Sequence, residues 1–377
     1  MARYHPEPTF NHGQSQAQVG VLLVNLGTPD APDAPALRRY LAQFLGDPRV
    51  VEIPRLIWWM ILHGVILRTR PRQSARKYAS IWQPQGSPLR LYSEAQARGL
   101  EARLNADLPA QAGRIQVRLA MRYGQPSLDQ AVAQLKAAGC DRLLLLPLYP
   151  QYAASTTASS LDALLTVFKR WRNVPALRTV RHYHDDPGYI AALKARVEGF
   201  WAQHGRPDVL VMSFHGVPQF TLEQGDPYHC ECLKTGRLLA EALNLEPGHY
   251  RIAFQSLFGR TEWVKPYTAP LVESLARQGV AHVQVVCPGF PADCLETLEE
   301  IGMEVKAIFL ANGGQVYHHI PALNDDPGWL DTLARIARDN LVGWWPPVVP
   351  ADADQALTLR RQRAQAWGRD NGTQEPS

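Results

Sequence analysis

Along the middle of the chain, short and nearly unbroken apolar runs alternate with longer amphipathic stretches. The runs occupy 20–26, 115–121, 142–148, 176–181, 209–214, 250–255 and 282–287. Most lack the apolar–polar alternation of a half-exposed strand, so they predict strands covered on both faces, as in a parallel sheet. Between them, helical spacing predicts helices over 34–45, 91–105, 127–138, 159–169, 188–204, 230–243 and 269–278. Repeated strand–helix pairs predict a doubly wound α/β architecture. The rhythm pauses over 173–187, so two similar units are expected, 18–175 and 176–345. Residues 1–17 are polar and aperiodic and read as a flexible arm. Pro346-Pro347 stops the second unit, and 346–377 reads as a polar tail with a short helix around 355–367.

One apolar stretch breaks the pattern. Residues 53–67, IPRLIWWMILHGVIL, are too few to span a membrane, which takes roughly 20 residues, and Pro54, His63 and Gly64 interrupt them. Two readings stand: a buried core helix, or an apolar lip beside a greasy binding site or a membrane surface, giving peripheral contact. Arg55, Arg68, Arg70 and Arg72 flank the stretch and suit an anionic lipid or a carboxylated ligand.

The composition narrows the classes. At 377 residues, with about 150 per domain as a guide, two or three domains fit. The balance of 39 basic and 35 acidic residues leaves +4, too weak for a nucleic-acid coat. Five scattered cysteines make no disulfide framework and fit a reducing compartment. The opening residues, Met1-Ala-Arg-Tyr-His-Pro-Glu-Pro, contain no secretory apolar run. A cytoplasmic protein is expected.

Ligands of open α/β sheets sit beyond the carboxyl ends of the strands. Six unusual strings fall there: Asn25-Leu-Gly-Thr-Pro, Arg122-Tyr123-Gly124, Tyr149-Pro-Gln-Tyr152 with Ser155-Thr156-Thr157, Ser213-Phe-His215-Gly-Val-Pro, Gln255-Ser256 and the segment 288–294. Their shared placement predicts one large cleft. The first string has a single glycine and is neither GxGxxG nor a phosphate cradle, so no dinucleotide or nucleotide site is supported. The Ser/Thr run also reads as a cap for the helix beginning near Ser159.

Within these strings His215 is held by a tight turn, Gly216-Val-Pro218, which would aim the imidazole into the cleft. Glu296, Glu300 and Glu304 recur at i, i+4 and i+8, stacking three carboxylates on one helix face without a basic partner before Lys306. Uncompensated like charges at that spacing suggest a path for cations or protons. Cys230-x-Cys232 next to His229 lacks the usual zinc spacing and reads as structural. His182-x-His184 and His318-His319 show no neighbouring ligand set and read as surface or packing residues.

Taken together, VLLVNLGTP (21–29), QGSPL (85–89), LYPQYAASTTASS (148–160), SFHGVP (213–218), GDPY (225–228), FQSLFG (254–259) and DCLETLEEI (293–301) resemble the ferrochelatases. These lyases insert Fe²⁺ into a porphyrin at the end of haem synthesis. The resemblance implies two four-stranded parallel α/β domains with the porphyrin between them. It makes His215 and Glu296 the facing catalytic and metal-binding groups; the acidic spacing adds Glu300 and Glu304 behind them as a proton or metal path. Leu26, Tyr123 and the lip would wall the porphyrin, Arg68 would meet its propionates, and Ser155 would join the substrate site. Some relatives carry a His where this chain has Cys294. Some also bind a [2Fe–2S] cluster through a Cys in the YPQY string and three more in a C-terminal extension. Here Ala153-Ala154 stand in that string and no Cys follows Cys294, so no such cluster and no other cofactor is expected.

The expected partners are protoporphyrin and ferrous iron acting on a monomer, with no nucleic acid. Coproporphyrin is the alternative substrate. A non-catalytic porphyrin or metal carrier would share the cleft without needing stacked carboxylates. A two-domain glycosyltransferase would share only the architecture.

Overall fold

Strand β1 (Gln18–Thr28) sends Val19, Val21 and Leu23 into one buried cluster and Leu22 and Val24 into another. With both faces covered, nearly every position must be apolar, which is why the strand reads as an unbroken run. The computed structural model describes Tyr4, Glu7 and residues 18–106, 108, 114–259, 261–345 and 353–370. In it β1 pairs in parallel with β2 (Gln116–Gly124) and β3 (Cys140–Pro147), and β4 (Ala176–Thr179) joins β3. The sheet order is β2-β1-β3-β4. The second sheet repeats it with β5 (Val209–His215), β6 (Tyr250–Gln255), β7 (His282–Val286) and β8 (Val316–His319), in the order β6-β5-β7-β8. Both sheets are parallel and flanked by helices, so two similar doubly wound units of four strands each are present.

Two expectations need correction. The second unit was placed from residue 176, but β4 is hydrogen-bonded into the first sheet through the pairing Leu143–Leu177, so the first unit extends past that strand. Strand β8 and the helix Pro327–Asn340 were not among the predicted elements. The sequence Val-Tyr-His-His is too short and too polar to register as an apolar run. The flexible arm over 1–17 lies outside the described residues except at Tyr4 and Glu7. Glu7 is held there, accepting from the Arg172 and Asn173 N–H groups and pairing with Lys136 at 2.9 Å. In the tail, a helix spans Ala353–Asp370.

A repeat invisible to apolar patterning marks the two units. Asp185-Asp186-Pro187-Gly188 opens the helix Pro187–His204, and Asp325-Asp326-Pro327-Gly328 opens Pro327–Asn340. In each, the second aspartate accepts hydrogen bonds from the glycine N–H and the following aromatic N–H, satisfying free helix donors. The units share one core. Leu210, Met212 and Phe214 of β5 lie in the same cluster as Val21 and Leu23 of β1. The helix Pro88–Asn105 meets Pro327–Asn340 so closely at Gly99 that a Cβ there would lie 2.6 Å from the Leu330 side chain.

The stretch 53–67 is not a buried core helix. Leu56 is 74% exposed and Trp59 59%, while Trp58, Leu62 and Leu67 anchor it in a cluster with Leu37 and Leu41. Its helix Arg55–Ile61 passes into a π-helical turn, Leu62–Ile66. Among the described residues no helix is long and apolar enough to cross a membrane.

Candidate functional site

In a parallel sheet of order 2-1-3-4 the strand order reverses between strands 1 and 3, which opens a crevice at their carboxyl ends. The structure has two such switch points, β1/β3 and β5/β7. One cleft, about 770 Å³ counting space open to solvent, collects residues from both. Asn25 to Thr28 end β1, Leu148 to Thr156 follow β3, His215 ends β5, and Gly289 to Glu296 follow β7. Tyr40 and Tyr78 enter from helices Ala34–Phe44 and Leu67–Ile81.

The strings at the ends of β2 and β6 do not line this cleft, because those strands lie on the far sides of β1 and β5. Tyr123, expected to wall the substrate, is therefore buried; its hydroxyl donates to Asp47 Oδ2 at 2.8 Å. Asp47 also takes Arg122, the Ser159 hydroxyl and the Arg49 N–H. Burial alone would raise the Asp47 carboxyl, but Ser159, the Arg49 N–H, Tyr123 and Arg122 together hold it below its ordinary range. This knot under the cleft is structural; the sequence had singled out Arg122, Tyr123 and Ser159 but not Asp47 or Arg49.

Leu26 does line the cleft. Ser155 does not, whereas its neighbour Thr156 does, at a π-helical turn, Ala154–Ala158. Arg68 lies outside the lining, exposed on the helix that carries Tyr78 inward. The first loop needs its glycine: Gly27 has φ +114°, and a Cβ would sit 1.7 Å from the Tyr123 carbonyl oxygen.

His215 and Glu296 both face the cleft. Nδ1 of His215 is 2.6 Å from the Gly216 carbonyl oxygen. A carbonyl only accepts, so Nδ1 carries the proton and Nε2 is the basic nitrogen of the neutral ring. Glu296 opens a ten-residue π-helical segment, Glu296–Val305. Its carbonyl accepts from Gln255 Nε2 at 3.0 Å, and Gln255 Oε1 accepts from the Ser213 hydroxyl at 2.6 Å. The β6 string thus positions the site from behind.

The carboxylate row runs from cleft to surface, with one correction. Glu304 is exposed and paired with Lys77 at 2.6 Å, and Lys77 also meets the buried Glu299 at 3.0 Å. The basic partner missing from the local sequence comes from the helix Leu67–Ile81. Glu300 lies behind Glu296, and burial is the main cause that raises its carboxyl; the nearby Glu296 adds to this, and Ser256 and His215 oppose it.

Cys294 is buried on the cleft wall, and burial pushes its thiol well up. Cys230 is exposed and Cys232 buried; two places apart on a helix they face different ways and cannot chelate together. His182 and His184 do have a ligand-type neighbour after all. Helix Tyr228–Ala242 brings Glu231 between them, its Oε1 2.7 Å from His182 Nδ1 and its Oε2 3.2 Å from His184 Nδ1.

The same two-unit arrangement occurs in a solved structure, "SirB from Bacillus subtilis with Fe3+", at TM-score 0.52 and 13% identity, covering 87% of this chain and 98% of that one. By its fold and its cleft the protein falls in the chelatase-like α/β class. A family model described as Ferrochelatase matches residues 18–341. The ferrochelatase of Chromobacterium violaceum is 59% identical over 344 residues, 91% of this chain and 93% of that protein. That of an Azoarcus species is 55% identical over 368 residues, 98% of this chain and 99% of that protein. The chain belongs to the ferrochelatase family, enzymes that insert iron into porphyrin for haem synthesis.

Proposed function

We propose that this protein inserts Fe²⁺ into protoporphyrin IX, with His215 and Glu296 as the groups that handle metal and protons. The observation that carries the reading is that both residues, one from each side of the β5/β7 switch point, line one cleft whose remaining wall is largely apolar and aromatic. The reaction needs three things: waters stripped from the ion, two pyrrole N–H protons removed, and the flat macrocycle bent to expose nitrogen lone pairs. Imidazole and carboxylate are suitable hosts for Fe²⁺, and each also takes a proton. The basic Nε2 of His215 accepts one pyrrole proton. Glu296 receives the ion or the second proton, and Glu300, with its raised carboxyl, relays protons behind it. Glu304 continues that row to the surface, where Lys77 partly neutralises it.

Leu26, Leu89, Leu148 and Phe290, with the aromatic faces of Tyr40 and Tyr78, form the wall against which the ring is held. Binding energy spent on a bent ring lowers the insertion barrier. Thr156 takes the place expected of Ser155, and Arg68 remains available for a propionate at the lip. The five free thiols support cytoplasmic work, and the exposed lip supports peripheral contact with lipid from which porphyrin is drawn. The protein acts as a monomer.

The test is porphyrin fluorescence under anaerobic conditions after adding Fe²⁺, with protoporphyrin and coproporphyrin compared. Catalytic loss of fluorescence, faster with protoporphyrin, is expected. Faster loss with coproporphyrin would reassign the substrate, and stoichiometric binding without metallation would make the protein a carrier.

A further inference from the structure

The group His182, His184 and Glu231 plays no part in the cleft, whose lining includes none of the three. One ligand atom from each lies within 4.8 Å of the other two. His184 is only 5% exposed, and its Nδ1, although 3.2 Å from Glu231 Oε2, has no hydrogen-bond partner among the described residues. Glu231 is buried as well and is fixed by the Tyr152 N–H at 2.7 Å.

As it stands the cluster is in conflict with itself. His182 Nδ1 lies 2.7 Å from Glu231 Oε1, which can only accept, and 3.2 Å from Arg181 Nη1, which can only donate. One ring nitrogen cannot serve both. Arg181 also stands 3.6 Å from Glu231 Oε1, with its side chain exposed and its guanidinium over the Tyr152 ring. The remaining acid, Asp185, is 3.9 Å from His184 Nε2 and is engaged by Lys234 at 2.5 Å.

We propose that His182, His184 and Glu231 form a second metal site, taking a divalent ion of the Zn²⁺ type. Two imidazole nitrogens and one carboxylate oxygen suit such borderline ions, and water fills the open position on the exposed His182 side. Metal–donor distances of about 2.0–2.2 Å require small rotations that draw the three donors together. The ion would take the charge that Arg181 supplies and give both rings a lone-pair partner.

The site would also tie the units together. His182 and His184 follow β4 of the first sheet, whereas Glu231 lies on a helix of the second unit. A chain of bonds leads from it to the cleft: the Thr235 hydroxyl donates to the His184 carbonyl at 2.8 Å and accepts from Gln151 Nε2 at 3.0 Å. Gln151 lines the cleft.

Zn²⁺ titration calorimetry on the His215→Ala protein, which lacks the cleft imidazole, tests this. One saturable equivalent is expected, together with a Tm that rises with Zn²⁺. Adding His182→Ala and His184→Ala, or Glu231→Gln alone, should weaken that equivalent at least tenfold and abolish the Tm response, with circular dichroism unchanged. No saturable binding, or equal affinity after the substitutions, overturns the site. Should the variants fail to fold, anomalous scattering from zinc-soaked crystals of the unsubstituted protein decides: a peak among the three side chains is expected, and none there refutes the proposal.

Discussion

Ser256 grips Glu300 with two groups at once, its backbone N–H at 2.7 Å from Oε1 and its hydroxyl on Oε2. It does so from a left-handed backbone, φ 65°, which is uncommon for a residue other than glycine. Such local strain persists only where the surroundings impose it, and here it turns both donors of one residue onto a single carboxylate. The cluster behind the cleft is therefore tuned by opposing effects. Burial and Glu296 favour the protonated acid, while Ser256 and His215 favour the anion, and the net position is raised.

Ser256→Ala should raise the Glu300 carboxyl further, because one bond to its charged form is lost. The acidic limb of kcat/KM against pH for metal insertion should move to higher pH. An unmoved limb would show that Glu300 takes no part in proton transfer.

His215→Ala and Glu296→Gln should each lower iron insertion about 100-fold or more, the usual worth of a positioned acid–base group. Stopped-flow or steady-state fluorescence under anaerobic conditions measures this, alongside circular dichroism to confirm folding. Near-normal turnover in either variant would remove that residue from the proposed chemistry.

Asp47→Asn should destabilise the fold by about 3 kcal/mol near neutral pH, since it leaves Arg122 partly buried without its partner. Asp47 is held below its ordinary range in the folded state, so its contribution is present above pH 3.8 and is lost as pH falls further. Urea unfolding at several pH values should show the gap between the two proteins narrowing only on the acid side. A gap that widens there contradicts the assignment.

Gly27→Ala should abolish soluble expression or cost about 3 kcal/mol or more in urea unfolding. The added Cβ meets the Tyr123 carbonyl at 1.7 Å and the backbone is at φ +114°, so neither space nor conformation accommodates it.

Leu56→Ser combined with Trp59→Ser should leave stability within about 0.5 kcal/mol, because both side chains are exposed. Uptake of porphyrin from liposomes should weaken, whereas turnover of detergent-dispersed porphyrin should change less. Equal loss in both media would place the lip in the chemistry rather than in delivery.

The strands covered on both faces were legible from the chain because double burial forces continuous apolar runs, and those runs fixed the parallel class. His215 drew attention because a tight turn follows it at a strand end, and Glu296 because its acids recur four apart, although the segment that carries them is π-helical. Strand β8 was not, since its His-rich four residues take their place from pairing with β7 rather than from their own pattern.

What the sequence by itself determined was the α/β alternation, the two units and the chemical types that line the cleft, all set by local periodicity and strand-end motifs. Tertiary structure alone decided which strand ends open onto the cleft: β1/β3 and β5/β7 do, and the end of β2, with Tyr123, is turned into a core. It also supplied Lys77 to the acidic row and Glu231 to the paired histidines. Strand order and long-range partners depend on how distant segments pack, and no local spacing encodes that.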